Sequence, residues 1–412
     1  MTPTDAERAA VLKWIETAAH PLTTVDPAAP LDDLRPLLAM VGDASIVGYG
    51  AGTRGAHELF TLQTRIARLL VEEGAFRAVA LEVDTSLGLR LDEYVRTGRG
   101  DPNALLKAAG PLAATEEVFG LLSWMHAFNR DHPERPVRLV GIIPGIADAD
   151  LLDGIIAHIS EVAPSRVHEV EALYAELRPT PEEDPFTYIG RLRKRQDIKE
   201  RARDAHLLVA ELTADSWTVH SARLVVQFLE LHDHDAPPDD PHNMACLERC
   251  YAENLSWWHA HLGEKALWWT SSSHSSNGPG RAMRFPPAPA RALPNAGGFL
   301  RERLGPGYVS IGLTFQRGEL NAYAGGRTYQ VPDAAPELFE SFLASGDFLL
   351  DLRADGPPEA AAWLTRPAFF RAIGPVYDPA NDAAHHMTGG SPAEWFEIVL
   401  HLGEVTPTRQ LP

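Results

Sequence analysis

The chain is poor in cysteine, has no long apolar run, and carries far less positive than negative charge. Only Cys246 and Cys250 occur in 412 residues, which excludes a disulfide framework. They stand four apart in a helical pattern, where a disulfide would strain the helix, and this fits a reducing cytoplasm. No stretch approaches the roughly 20 apolar residues that a membrane span needs. The first eighteen residues read as an amphipathic helix with Asp5, Glu7, Arg8, Lys13 and Glu16, not as a secretory signal. Against 37 Lys and Arg stand 56 Asp and Glu, a formal charge of −19. Such a surface repels phosphates and argues against nucleic acid or an anionic membrane as partner. Its plain consequence is solubility.

What is present reads as a globular α/β protein. The hydrophobic fraction of 45% is ordinary, and the length allows one large domain or a domain with an insertion. Short β-rich runs predict strands at Ala44–Gly48, Ala78–Val83, Val137–Ile143, Ala266–Thr270, Tyr308–Thr314, Phe348–Leu352 and Glu397–Leu402. Helical patterns at His57–Glu73, Leu87–Arg96 and Thr115–Asn129 separate the early ones. Leu59, Leu62, Ile66, Leu69 and Leu70 carry the spacing of a half-buried helix. The alternation predicts a mostly parallel central sheet with helices on both faces. From about Asp150 to Gly263 strand signals vanish, and helices are expected at Asp184–Thr213, Trp217–His232 and His242–Leu262. We therefore divide the chain into a first α/β half (1–149), a helical insertion or cap (150–263) and a second α/β half (264–412), forming one compact domain. Two loops interrupt the pattern: an acidic turn at His232–Pro241, and a Gly- and Pro-rich stretch at Ser276–Gly298 long enough for a lid or a disordered connector.

The first third carries a motif. Gly48-Tyr-Gly-Ala-Gly-Thr-Arg-Gly-Ala-His-Glu-Leu-Phe60 follows a strand and opens a helix. Val79-Ala-Leu-Glu82-Val-Asp84 delivers a carboxylate at a strand end, and Asp92–Val95 and Glu116–Asn129 follow. Later come Ala252-Glu-Asn254, Lys265–Ser275 and Val405-Thr-Pro-Thr-Arg409. In this order the motifs resemble the erythromycin esterases, whose first motif reads GLGExTHGxxEFF, and the resemblance covers nearly the whole chain. It implies an active site that uses a histidine to activate water against a lactone carbonyl.

The departures are chemically pointed. The family's motif glutamate falls on Ala51 and its catalytic histidine on Arg54; a basic position falls on Gln63. The first histidine of an HNxH segment falls on Ser271, and the second is kept as His274. The Arg-Asp before the MAEN helix is Leu247-Glu248, and an acidic position after the third strand falls in Ile142-Ile143. Imidazole accepts and returns protons near neutrality, whereas a guanidinium stays protonated. Arg54 is therefore not a base, and opposite Glu82 it would hold that carboxyl in its charged form. Three roles remain. Arg54 stabilises an enolate or carboxylate while Glu82 or His274 moves a proton; or one of those two still activates water; or Arg54–Glu82 is a structural salt bridge in a binding protein.

Other residues have competing roles. Asp84 is a substrate contact or a cap for the helix at Thr85-Ser86. His57 is a substrate contact, while Glu58 suits the positive end of its helix. Ser271 lies at a strand end, but no G-x-S-x-G elbow supports a serine nucleophile. His242, Cys246 and Cys250 share a helical face without completing a zinc set, and His232 and His234 read as solvated turn residues, so no metal is expected. The glycines at 48, 50, 52 and 55 match neither a P-loop nor a dinucleotide fingerprint, so no cofactor is expected; their backbone N–H groups are expected to face the pocket. Trp257, Trp258, Trp268 and Trp269 cluster near His274, with Trp269 a candidate wall for a bulky lipophilic substrate. The reading we carry forward is a cytoplasmic natural-product enzyme, polyketide-like in substrate. It would use Arg54, Glu82 and His274 for cyclisation, dehydration or isomerisation, with a macrolactone esterase and a non-catalytic binder as rivals.

Overall fold

The computed structural model describes residues 5–180, 182–232, 241–278, 281–284, 291–322, 327–343, 346–374 and 376–412. In chain order, α1 (Asp5–Ala18), β1 (His20–Pro21) and α2 (Pro36–Val41) lead into β2 (Ile46–Ala51). Next come α3 (His57–Glu72), β3 (Phe76–Asp84), α4 (Thr85–Thr97), α5 (Pro102–Ala108), α6 (Glu116–Asp131) and β4 (Arg138–Ile143). Six helices then run without a strand among the described residues. They are α7 (Ala149–Val162), α8 (Val167–Tyr174), α9 (Pro185–Leu192), α10 (Gln196–Leu212), α11 (Ser216–Leu231) and α12 (Pro241–Leu262). β5 (Lys265–Ser271), the one-turn α13 (Ser272–Ser275), β6 (Ala282–Arg284), β7 (Arg291–Ala292) and α14 (Ala296–Leu304) follow. The chain continues through β8 (Tyr308–Ala322), β9 (Arg327–Val331), β10 (Phe348–Asp351), α15 (Pro358–Thr365) and β11 (Phe370–Arg371). It closes with β12 (His386–Thr388), α16 (Pro392–Trp395) and β13 (Ile398–Val405).

The principal sheet has the order β1-β10-β13-β8-β2-β5-β3-β4, with β9 paired to β8. From β13 to β4 every neighbour is parallel, and β10, β1 and β9 add antiparallel margins. This is the mostly parallel α/β sheet that the sequence predicts. β2 lies at its centre, with Gly50 facing Thr270 of β5 and Gly312 of β8 across the ladders. Parallel strands place their carboxyl ends together, so Ala51, Asp84 and Ser271 finish on one edge.

Helices cover both faces because each presents an apolar stripe. On one face α3 packs Leu59, Phe60, Leu62 and Ile66 with Val47, Tyr49 and Val79 of the sheet. On the other, Tyr251, Leu255 and Trp258 of α12 pack with Ile46, Ala80 and Trp268. A separate core of Leu152, Ile159, Tyr174, Val209, Val225 and Phe228 joins helices α7, α8, α10 and α11. Fully burying one such leucine contributes about 1.5–3 kcal/mol, so α3 holds to the sheet by several such terms. Among the described residues no helix is long and apolar enough to cross a membrane.

All seven expected strands are present, some longer. β2 runs past Gly48 to Ala51, since sheet pairing on both sides carries the glycines. Short strands β1, β6, β7, β11 and β12 carry no local pattern; pairing with distant segments creates them. The expected helix Asp184–Thr213 is two helices, because Arg193 is extended at ψ 135° and Lys194 sits at φ 63°. The Ser276–Gly298 stretch includes β6, β7 and the start of α14 rather than one long connector. Gly297 belongs to that helix because a Cβ there would overlap the carbonyls of Ser275 and Ser276. Residues 233–240, which hold His234 and most of the acidic turn, lie outside the described residues, as does the side chain of His242.

Candidate active site

A cluster of charged side chains gathers where β2, β3 and β5 end and α12 passes beneath them. Glu82 and Thr270 project from the α12 side of neighbouring strands β3 and β5, as the strand alternation that buries Ala80 and Trp268 there requires. Glu82 Oε1 accepts the Thr270 hydroxyl, and Oε2 accepts Arg54 Nη2 in an ion pair. The Tyr251 hydroxyl stands 3.5 Å from the same Oε2. Burial pushes the Glu82 carboxyl up, but Arg54, His274 and the Arg54 and Thr270 hydrogen bonds outweigh it. The net result lies below the ordinary carboxylate range. Glu82 is therefore a fixed anion and a weak base.

Arg54 reaches it from the turn after β2. Gly55 follows because any side chain there would collide with the Asn321 backbone. The turn's amides do not serve the pocket as expected: Gly52 N–H donates to Leu313 O at 2.8 Å and Gly55 N–H to Thr53 Oγ1 at 3.3 Å. Gln63, from α3, is buried and donates to the Tyr49 and Thr270 carbonyls at 2.7 and 3.2 Å, tying β2 to β5.

His274 stands on the one-turn helix directly after β5. Its Nδ1 is 2.7 Å from Glu248 Oε1, and its ring meets Tyr251 edge-on at 5.5 Å. Glu248 is fully buried on α12 and also accepts Arg281 Nη2 at 2.5 Å and the Ala296 N–H at 2.8 Å. Burial raises its carboxyl, but His274 and Arg281 overcome this and hold it ionised, below the usual range. Nδ1 is thus engaged by Glu248, and the His274 side chain retains 13% exposure. Glu248 and Arg281 are absent from the sequence-derived site. A signal for Glu248 existed: it shares the sheet-facing side of α12 with Tyr251, Leu255 and Trp258, where an acid demands a partner. Arg281 sits in an irregular segment and had no such signal.

The remaining candidates disperse. Asp84 caps α4, accepting Leu87 N–H at 2.7 Å, so it follows its capping role. Ser271 Oγ is 2.8 Å from Ser273 Oγ. Trp269 corrects the sequence reading: it points to the opposite face from Glu82 and packs edge-on against Phe60 and Tyr49 in the α3 core. Trp268 is buried beside Tyr251, and Trp257 stacks on His220 at 3.7 Å. The aromatic group at the cluster is thus Tyr251. His57 is also elsewhere: its Nδ1 is 2.6 Å from Glu117 Oε1, and it lines a cavity of about 770 Å³ whose walls include none of Arg54, Glu82 or His274. Among the described residues no group of three or more potential ligands could hold a metal ion.

A mostly parallel α/β sheet thus carries, around the ends of its strands, a cluster of one histidine, two buried carboxylates and two arginines. The chain belongs to the erythromycin esterase family, whose model matches residues 71–405. It is 22% identical over 130 residues to an erythromycin esterase type II of Escherichia coli; the match spans 32% of this chain and 30% of that protein. Two solved structures superpose along its length. A Bacillus cereus protein is 27% identical, with TM-score 0.82, over 99% of this chain and all of the other. A succinoglycan biosynthesis protein is 26% identical, with TM-score 0.81, over the whole of both. An erythromycin esterase mutant in its open conformation shares the fold at 17% identity and TM-score 0.64, covering 94% of this chain and 98% of its own.

Proposed function

We propose that the chain is an enzyme that moves a proton on a carbonyl-bearing small molecule, with His274 as acid–base group. The observation that carries this reading is the 2.7 Å His274–Glu248 contact, with Glu248 itself held by Arg281 and the Ala296 amide. A buried, ionised carboxylate on Nδ1 fixes the ring and supports the imidazolium that forms when Nε2 takes a proton. Glu82 cannot share that task, because Arg54 and Thr270 hold it as an anion. Arg54 supplies positive charge where an enolate or carboxylate oxygen develops. In this reading the reaction is cyclisation, dehydration or isomerisation of a bulky natural product in the cytoplasm, polyketide-like in character. The likeness to a succinoglycan biosynthesis protein along the whole chain favours a biosynthetic over a resistance role. The free, buried thiols of Cys246 and Cys250 support a reducing compartment, and the charge of −19 supports a substrate other than nucleic acid.

Hydrolysis of a macrolactone or related ester is the second reading, and the same dyad favours it, since an oriented imidazole also activates water. Incubation with erythromycin and simpler lactones in heavy-oxygen water separates the two. Product without label is expected; label in a new carboxylate establishes the esterase. A non-catalytic binder would keep its output when His274 is replaced by Asn.

A further inference from the structure

The cavity beside His57 is built by four segments that have no part in the His274 cluster. Its floor is the outer face of α3, where Thr61 and Thr64 donate their hydroxyls to Glu58 O and Phe60 O of their own helix. One wall is the 24–28 segment, fixed by two arginines of α3. Arg65, fully buried, donates to Thr24 O at 2.5 Å and Pro30 O at 2.6 Å, and Arg68 donates to Pro27 O and Ala29 O. The opposite wall is α6, with Trp124 and Gly120; a Cβ on Gly120 would meet open space. The far end is closed by Arg409, on a segment that Glu58 anchors through Thr406 N and Oγ1 at 2.5 and 2.6 Å.

The polar groups divide unevenly between satisfied and available. Glu117 accepts His57 Nδ1 at 2.6 Å and the Arg409 amide at 3.1 Å, and Asp26 accepts Ala28 N–H at 2.9 Å. Facing a guest are two cationic groups: His57, whose Nε2 donates when the ring is an imidazolium, and the Arg409 guanidinium, which is 65% exposed. Glu116, a loose neighbour of Arg409 at 3.9 Å, and Asp26 add carboxylate oxygens to the lining. The rest of the lining is Arg68, already bonded to Pro27 O, together with small or apolar groups that include Val25, Ala28 and Trp124. A volume of about 770 Å³ falls in the range of roughly 300–1,000 Å³ typical of small-molecule sites.

We propose that this cavity is a second binding site, separate from the His274 cluster, for a monocarboxylate with an apolar or aromatic body. The carboxylate sits between His57 Nε2 and Arg409; the body lies along α3 against Trp124 and Val25. Fluorine NMR of 3-(4-fluorophenyl)propionate with the full chain tests it. The probe should broaden and shift with the wild type, and Gly120→Phe, whose Cβ meets nothing within 4 Å and whose ring would occupy the cavity, should abolish the effect. Arg409→Gln should weaken binding about tenfold, as should the neutral amide of the probe. Glu82→Gln and His274→Asn should leave it unchanged. No broadening with the wild type, binding undiminished in a folded Gly120→Phe protein, or binding lost in Glu82→Gln would each overturn the proposal.

Discussion

Two histidine–glutamate pairs of nearly equal length stand in this molecule, His274–Glu248 at 2.7 Å and His57–Glu117 at 2.6 Å, yet their surroundings differ. Glu248 has no exposure and adds an arginine and a backbone amide to its imidazole partner. Its histidine stands beside Glu82, whose carboxylate it helps to hold ionised. His57 sits in the first turn of α3 beside an open cavity. The contact alone therefore says little about chemistry. What separates the pairs is the second charged centre beside the first, Arg54–Glu82, and the Arg281 guanidinium that shares Glu248.

The sharpest break of the comparison is His274→Asn against His57→Asn. Removing a general acid–base group costs about 10²–10⁴-fold in rate, so the first variant should lose roughly 10³-fold in kcat on whatever substrate is turned over. The second should change kcat by less than about threefold, because His57 lies outside the cluster. Equal losses in steady-state assays would abolish the distinction. Next comes Glu248→Ala. Deleting one partner of a buried ion pair leaves the other uncompensated and typically costs about 3–5 kcal/mol. Here Arg281, 2% exposed on its side chain, would be stranded. Urea melts should show a loss near that range, against about 1 kcal/mol for Glu117→Ala, whose histidine can turn to water.

Much of the scaffold was legible and the pairing largely was not. Strands such as β4 and β10 announce themselves because a buried strand needs a run of apolar residues whatever its partner. Glu82 stood out because a carboxylate ending such a run has few structural reasons to be there. His274–Glu248 joins residues 26 apart and His57–Glu117 residues 60 apart, and no local periodicity records such meetings. Trp269 went wrong for a related reason: alternation says that adjacent tryptophans face opposite ways, but only the register against β3 says which way Glu82 faces. The loop amides went wrong because their acceptors, Leu313 O and Thr53 Oγ1, are revealed only by the folded turn.

Histidines without a carboxylate sharpen the comparison further. His220 and His401 are buried, and burial, the largest influence on each, lowers both to about 3. For a base depressed in the fold, the unfolded chain binds the extra proton between the two values. Stability is then complete above about 6.5 and falls as pH drops toward 3. Each group contributes a slope of about 1.4 kcal/mol per pH unit inside that window. Thermal melts should show Tm falling between pH 6 and pH 4, with His401→Phe flattening the slope; an unchanged slope would mean that the ring is already charged in the fold.

The smallest effect belongs to His57, and its sign is opposite. The Glu117 hydrogen bond, the largest influence, raises its pKa above 6.5 despite partial burial. The folded chain therefore holds the proton to higher pH than the unfolded one. The stabilisation is fully present below about 6.5 and fades as pH rises through the folded value. Because the ring is partly open to solvent, screening limits the gain to a few tenths of a kcal/mol. His57→Gln should thus be slightly destabilised at pH 6 and indistinguishable from wild type at pH 9. A Tm gap that instead widens with pH would show that the fold holds the ring neutral, with its one proton on Nδ1 toward Glu117, and would remove the Nε2 donor that the second site requires.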